Sequence, residues 1–452
     1  MGFGWFAFGL YWIGSAFMVA DTYHKVLMPL AVVILPSVLA IFWGIACVFA
    51  KLLTKKNQSS LFLIIVFLTL FEYLRANLLT GFPWLMPSII LSSNDYLIQI
   101  FALVGSFTAN LFVFSFSILP FILIFNFRGK YIIFGLLSIP ITILLFSSFV
   151  RLYNKDNKVS DKNLITLVQP NIEQKDKWNL EKRNANLNKL TQFSIQNVNE
   201  YIGVNRIIIW PETSFEGTIP NEMELLSVIS KRILTDQKAI LVVGLLRVDK
   251  NKLFNSLVFL NSKGNIIHHY DKIHLVPFGE YIPLRNKFTT IANFLSLKDF
   301  SSGNIKPNFT LKGFGNILTL ICYEILFTEE IISRLSKNTN LLINITNDAW
   351  FGKTIGPYQH LALAKIKAVE LGIPLARVAN TGISALISPY GEEITKIPLY
   401  ESGVRTAKLT LPLKNTIYRT YGEIIFIVSI LFLIFINKMY DYKFSRDLKN
   451  EK

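Results

Sequence analysis

Long apolar runs crowd the first 150 positions and then stop. Five stretches, roughly 3–20, 26–50, 61–80, 97–126 and 131–150, carry almost no charge, and a sixth covers about 422–437. A helix needs about 20 apolar residues to cross the hydrocarbon of a bilayer, so the pattern predicts six spans. Between residues 151 and 421 it changes to short Ile/Leu/Val-rich runs separated by mixed charge and turn residues. Runs at 163–172, 206–212, 239–248, 253–261, 316–324, 340–348 and 384–389 read as strands buried on both faces. Patterns at 178–202, 221–235, 328–336 and 357–371 read as helices. Strands alternating with helices predict a layered α/β domain. The chain thus divides into spans over 1–150, a globular domain over 151–421, a last span over 422–440 and a basic tail over 441–452.

Charge sets the expected orientation, because Lys and Arg mark cytoplasmic loops. The 51–60 loop holds three, the 127–130 turn two and the tail from Lys438 five, whereas 81–96 has none and 21–25 has one. Both termini are then cytoplasmic and the globular domain lies outside. Residues 1–20 lack a basic start and a small-residue cleavage site, so they read as a span rather than a signal peptide. The composition agrees, with 52% hydrophobic and 17% charged residues and a mean hydropathy of +0.42. The net charge is +16, and the globular part holds 34 basic and 23 acidic residues. A basic domain beside a bilayer suits anionic headgroups. With no nucleic-acid motif and an outward location, nucleic acid is excluded as a partner. The two cysteines, Cys47 and Cys322, form no CxxC pair, and the five histidines show no ligand spacing, so neither a metal site nor a disulfide framework is expected. Cys47, inside a span, reads as a packing residue. Glu72 and Arg75 are the main charges within the spans.

The chemistry gathers where strands end, as it does in layered α/β folds. RIIIW runs into Pro211-Glu212, NILTLI into Cys322, and NLLINI into Thr346-Asn347-Asp348. A fourth segment, YDKIHLVPFGEYIP (270–283), carries Lys272 and Glu280. Singly, each has an ordinary explanation: a solvated glutamate, a surface lysine, a thiol packed in the core. The ordered set WPE, YDK with a glutamate eight residues past the lysine, and CYE is harder to explain that way.

This set resembles the nitrilase superfamily, whose members carry a Glu–Lys–Cys triad in that chain order. Within it the chain is similar to the membrane branch, the apolipoprotein N-acyltransferases, through VQPNIEQKDKW (168–178), IIIWPET (207–213), YDKIHLVPFGEY (270–281), LICYE (320–324), NITNDAWFG (344–352), the 360–384 stretch and the single C-terminal span. The resemblance implies a multi-span α-helical membrane domain plus a nitrilase-like αββα sandwich. It implies Cys322 as nucleophile, Glu212 as general base and Lys272 as third member of the triad, with Glu280 orienting the lysine and substrate. A thiol with a pKa near 8.5 is only a few per cent thiolate at neutral pH, so a neighbouring carboxylate and ammonium are what would activate it. The N–H of Tyr323 is a second oxyanion donor beside Lys272 in this reading. Trp178, Tyr323, Glu324 and Glu370 also fall on positions linked to activity. Trp178 alternatively packs in the core, Glu280 alternatively forms a structural ion pair with Lys272, and Glu324 and Glu370 alternatively hold the site through buried hydrogen bonds.

The implied reaction moves an acyl chain from a phospholipid, through a cysteine thioester, to the α-amine of a diacylated apolipoprotein. No cofactor is implied, and the expected form is a monomer in the bacterial inner membrane with its catalytic domain facing the periplasm. FTTIANFLSL (288–297) would be a lid or an ordinary amphipathic helix. The family typically has eight spans, and the GFGWFAFGLYW start resembles its third. The alternative from the same triad is a membrane-anchored amidase with water as acceptor.

Overall fold

The first apolar runs coil into α1 (Gly2–Gly9), α2 (Ile13–Val19), α3 (Met28–Leu53), α4 (Leu61–Asn77), α5 (Ile100–Ile124) and α6 (Lys130–Tyr153). The structure, a computed structural model, describes residues 1–19, 23–54, 61–125, 129–196, 198–285, 287, 299–304 and 309–450. The 288–297 segment expected as a lid or amphipathic helix lies outside the described residues. Among the described residues, five segments are long and apolar enough to cross a membrane by length and composition: Gly2–Val19, Lys25–Leu53, Leu97–Ile124, Lys130–Tyr153 and Ile424–Tyr442.

The run expected as a span over 61–80 is helical for only 17 residues. It stops where Leu79, Thr80 and Gly81 take positive φ. Its two charges pair internally: Arg75 Nη2 donates to Glu72 Oε2 at 2.6 Å, and Trp43 Nε1 donates to Glu72 Oε1 at 2.6 Å. Arg75 also donates to the carbonyls of Phe82 and Trp84, which turns the chain back at the end of α4. Cys47 is exposed on α3 rather than packed. The buried stripe of that helix runs through Leu39, Trp43, Ala46 and Ala50, and Cys47 lies one position off it.

The next 260 or so residues build two sheets. Their elements are β1 (Val159–Gln169), α7 (Leu180–Ile195), β2 (Asn205–Ile209), β3 (Thr218–Ile219), α8 (Met223–Ile233), β4 (Ala239–Asp249), β5 (Lys252–Leu260), β6 (Ile266–Asp271), β7 (Phe309–Leu311), β8 (Gly315–Ile321), α9 (Thr328–Arg334), β9 (Thr339–Thr346), α10 (Gly356–Leu371), β10 (Leu375–Ala379), β11 (Ser384–Ile387), β12 (Glu393–Ile397) and β13 (Gly403–Thr410). Then α11 (Ile417–Tyr421) leads into α12 (Ile424–Asn450). One sheet runs β13-β1-β2-β4-β5-β6 with β3 on β4, and the other runs β12-β11-β10-β9-β8-β7. The centres are parallel, β1-β2-β4 in one sheet and β8-β9-β10 in the other.

Alternation along each strand sends side chains to two different cores. In β8, Ile317 and Ile321 join Ile165, Ile207 and Val242 of the opposite sheet between the layers. Leu318 and Leu320 face the other way, towards Leu361 and Leu363 of α10. Ile208 and Trp210 pack under α7 and α8. The result is an αββα sandwich. The α10 side does not end the protein: the same cluster continues through Trp12, Trp43, Trp84 and Phe101 of the membrane helices and their loops.

Candidate active site

Cys322 follows β8 directly and opens a tight 3-10 turn over Cys322–Leu326, with φ at 53°. A non-glycine residue is uncommon in this left-handed region, which recurs where a side chain must be aimed. Asn344 of β9 donates to its carbonyl at 3.3 Å. Below it, Arg377 donates to Asn344 Oδ1 at 2.9 Å and to Asp348 Oδ2 at 2.6 Å, and His360 Nδ1 lies 2.9 Å from Asp348 Oδ1. Burial opposes the Asp348 charge, but Arg377 and His360 outweigh it and hold the carboxyl at about 2.

Glu212 lies three residues past β2 in the opposite sheet, and it is buried. Its loop crosses Gly244 of β4, where a Cβ would meet the Pro211 oxygen at 2.4 Å and the Glu212 Cα at 2.8 Å. Backbone cannot yield as a flexible side chain would, so Gly244→Ala is expected to displace Glu212. The expected outcome is a folded protein with activity reduced at least tenfold; full activity in a turnover assay would show that the loop tolerates the shift.

Lys272 follows β6, its N–H donating to the Asn255 carbonyl at 2.8 Å and its carbonyl accepting from Gly303 N at 2.8 Å. The ammonium donates to Glu280 Oε1 at 2.9 Å, lies 2.8 Å from Glu280 Oε2, and is 3.9 Å from Glu212 Oε1. Asn255 Nδ2 bridges the two carboxylates, donating to Glu212 at 2.7 Å and to Glu280 at 2.9 Å. Glu280 Oε2 also accepts from Val276 N at 2.8 Å.

Electrostatics follow from burial of these charges together. Burial works against the Lys272 charge, but Glu280, then Glu212 and Cys322, raise its pKa overall. Burial raises the Glu212 carboxyl, against the pull of Lys272. Burial, then the Glu212 carboxylate, pushes the Cys322 thiol up to about 12, with Lys272 pulling the other way. At rest the site is therefore a locked ammonium–carboxylate pair beside a neutral thiol. That thiol can lose its proton only to a base positioned next to it.

Other residues singled out from the sequence take different places. Glu324 is fully buried: Oε1 accepts from Tyr270 O–H at 2.7 Å, Ile273 N at 2.9 Å and His274 N at 3.2 Å, and Oε2 accepts from Ile321 N at 2.7 Å. It joins the strand end before Cys322 to the segment after Lys272. Tyr323 is buried, which raises its pKa, and its hydroxyl donates to the Gly81 carbonyl at 3.1 Å. Trp178 is 49% exposed ahead of α7, so it does not pack in the core. Glu370 is buried away in a different network. It accepts from Ser106 N at 2.7 Å and Ser106 O–H at 2.8 Å, and from Lys367 at 2.6 Å. Ser106 follows Gly105, whose φ of 74° breaks the α5 ladder, so Glu370 serves the joint between α10 and α5.

Two participants escape a reading of the sequence. Asn255 is a neutral residue in the middle of an apolar strand. Lys177 looks like one more surface charge in QKDKW, yet it is buried and its Nζ donates to the Glu212 carbonyl at 2.9 Å. The only signal for Lys177 was its place inside the 168–178 motif, and Asn255 had none beyond interrupting an apolar run. Among the described residues, no three His, Cys, Asp or Glu side chains group as metal ligands.

Comparison with known proteins matches residues 164–417 to the carbon-nitrogen hydrolase family and residues 1–119 to the apolipoprotein N-acyltransferase N-terminal domain. Curated relatives named apolipoprotein N-acyltransferase span most of the chain. The Rhodopseudomonas palustris protein is 32% identical over 97% of this chain and 84% of its own length. That of Rhizobium etli is 35% identical over 89% and 77%, and that of Rickettsia bellii 32% over 99% and 89%.

Proposed function

The chain belongs to the apolipoprotein N-acyltransferase family of carbon-nitrogen hydrolases, and we propose from that premise that Cys322, Glu212 and Lys272 carry an acyl chain from a membrane phospholipid to the α-amine of a diacylated apolipoprotein. The protein is an enzyme of lipoprotein N-acylation. The observation that supports this division of roles is the meeting of Glu212, from one sheet, and Lys272, from its edge, at a left-handed Cys322 from the other sheet.

In the first half-reaction Glu212 takes the Cys322 proton as Sγ attacks the donor ester carbonyl. Lys272, held by Glu280, offsets the oxyanion charge; losing one such donor costs about 3–4 kcal/mol. The intermediate collapses by breaking the C–O bond, Glu212 returns the proton to the leaving oxygen, and a lysophospholipid departs from a thioester. In the second half-reaction the neutral acceptor amine attacks the thioester carbonyl. Glu212 takes a proton from nitrogen and gives it to Sγ as the C–S bond breaks. Splitting the transfer in this way replaces one hard step with two easier ones.

Both substrates keep their acyl chains in the bilayer, so the site must work at its surface. The continuity of the α10 cluster with Trp12 and Trp84 of the membrane part supports that placement. The Lys/Arg bias of the loops supports a catalytic domain, over 151–421, on the outer face of the inner membrane. We propose a monomer.

Intact mass of the purified protein after exposure to phospholipid tests the chemistry. The expected result is a gain of one acyl chain, removed by hydroxylamine and absent in Cys322→Ala. Release of free fatty acid without transfer to a diacylated lipopeptide would instead favour a hydrolase that uses water as the acceptor.

A further inference from the structure

A cavity of about 310 Å³ lies between α5, α6 and α12, three helices long and apolar enough to cross a membrane. Its wall is mostly apolar, with Leu111 and Phe112 from α5, Leu137 and Ile141 from α6, and Phe432 and Leu433 from α12. Ile143 and Phe432 border it and are more than half exposed, so it opens sideways from the helix bundle. None of Glu212, Lys272 or Cys322 lines it.

Three hydroxyls share that wall, those of Thr108, Ser115 and Ser429. Ser429 donates to the Ile425 carbonyl at 2.8 Å, one turn back on its own helix. Ser117, Thr142 and Thr69 do likewise on theirs, the usual way a helix satisfies such a group. Thr108 and Ser115 depart from it. They are 5% and 3% exposed, and their hydroxyls have no partner among the described residues. A buried donor without a partner is costly, so the wall is built for something that fills the space.

Depth along α5 says what fills it. Ser106 N–H and O–H both donate to Glu370 of α10. Tyr418 of α11 packs so closely on Gly105 that a Cβ there would meet its ring at 2.1 Å. That is the level at which the catalytic domain meets the spans. Thr108 lies about 3 Å further along α5 than Ser106, and Ser115 about 10 Å beyond Thr108, at the rise of a helix. The cavity therefore runs inward from the joint, over the stretch where a bilayer lipid passes from ester carbonyl to acyl chain. Water suits it poorly, because apolar cavities stay dry. An empty space would forfeit dispersion contacts along its whole wall. We infer that the cavity holds one acyl chain of a bilayer phospholipid, separate from any donor at the catalytic site, with Thr108 O–H donating to that chain's ester carbonyl. Ser115, deeper down, is the small side chain that leaves room for the chain past Phe112. The lipid fills the seam just below the α5–α10 joint, where α5 is already broken at Gly105, and so braces the spans against the catalytic domain. This site needs the spans only and stands or falls separately from the acyl-transfer chemistry.

The test uses the full-length Cys322→Ala protein, so that phospholipid at the catalytic site is not consumed. Delipidated in detergent, it is titrated with dioleoyl phosphatidylethanolamine, and native mass spectrometry counts the lipids bound. The denaturation midpoint is followed in parallel. Ser115→Phe places a ring in the cavity and should remove one bound phospholipid, together with the rise in midpoint that its binding causes. Thr108→Val keeps the size but loses the O–H. It should weaken the same binding step about fivefold, the worth of one hydrogen bond, and it stands in if Ser115→Phe does not fold. An unchanged lipid count in folded Ser115→Phe overturns the proposal, as does unchanged affinity in Thr108→Val. A protein that is dimeric until Ser115→Phe makes it monomeric overturns it too, because a second copy then covers the cavity.

Discussion

Glu212→Gln is expected to keep the fold and lose about 10²–10⁴-fold in the rate of both half-reactions, the range supplied by a positioned general base. The amide is nearly isosteric, and its oxygen can still accept from Asn255 Nδ2. What it cannot do is take a proton from sulfur or nitrogen. The same substitution makes an opposite prediction for chemical modification. The Glu212 carboxylate is, after burial, the main influence pushing the Cys322 thiol up to about 12. Removing that negative charge leaves the weaker influence of Asp348 as the carboxylate opposing Lys272, so the thiol pKa falls. More thiolate is then present at a given pH, and alkylation by iodoacetamide at pH 8 speeds up while turnover collapses. A variant that was merely misfolded or displaced would not divide the two measurements in that way. Slower alkylation together with lost turnover would remove Glu212 from the role of base.

Those opposed effects show why the nucleophile is hard to recognise from its own string. ILTLI is a parallel strand with both faces buried, and a cysteine at its end shares that burial, so its surroundings are those of a core thiol. Chemistry enters only through Glu212 and Lys272, which lie 110 and 50 residues away in sequence. The ordered motifs supply them because strand ends in layered α/β folds converge. The long continuous strands β1, β4, β5, β8 and β9 are legible for the same reason, since burial on both faces writes an unbroken apolar run.

Other elements are written less clearly. β3 and β7 span two and three residues, too short for any period to register. β12 exposes Ile394 and Lys396 and β13 exposes Arg405 and Lys408, so neither writes a continuous apolar run. β10 follows α10 after only three residues, and its five-residue run, interrupted by Arg377, is too short to register as a strand. The helix expected over 178–202 ends at Ile195, seven residues early. In the membrane part, Glu72 and Arg75 gave no sign that they would pair with each other and fold the chain back at Gly81. Asn255 and Lys177 show the general limit: a residue whose work is to hold another group has no pattern of its own.

Glu324→Leu should cost about 3–5 kcal/mol of stability, because it leaves a charge buried without its partner. Arg334 is buried, lies 3.6 Å from Glu324 Oε1, and donates to Tyr270 O–H at 2.6 Å, which in turn donates to Glu324. Without the carboxylate, the remaining acidic side chain near that guanidinium among the described residues is the partly exposed Glu330, at 3.6 Å. Three backbone N–H groups, of Ile273, His274 and Ile321, lose their acceptor together. Native stability is only about 5–15 kcal/mol, so the loss is a large share of it and should lower the denaturation midpoint of the purified protein in detergent. Glu324→Gln separates charge from shape. One amide oxygen can serve part of the donor set, but its NH2 faces donors, so an intermediate midpoint is expected. Activity should fall further than the folded fraction in both variants, because Ile273 and His274 follow Lys272 directly and their anchor to Glu324 fixes where the ammonium stands. If the midpoint drops but the folded enzyme turns over normally, Glu324 holds the sandwich together and Lys272 is positioned by Glu280 and Asn255 alone.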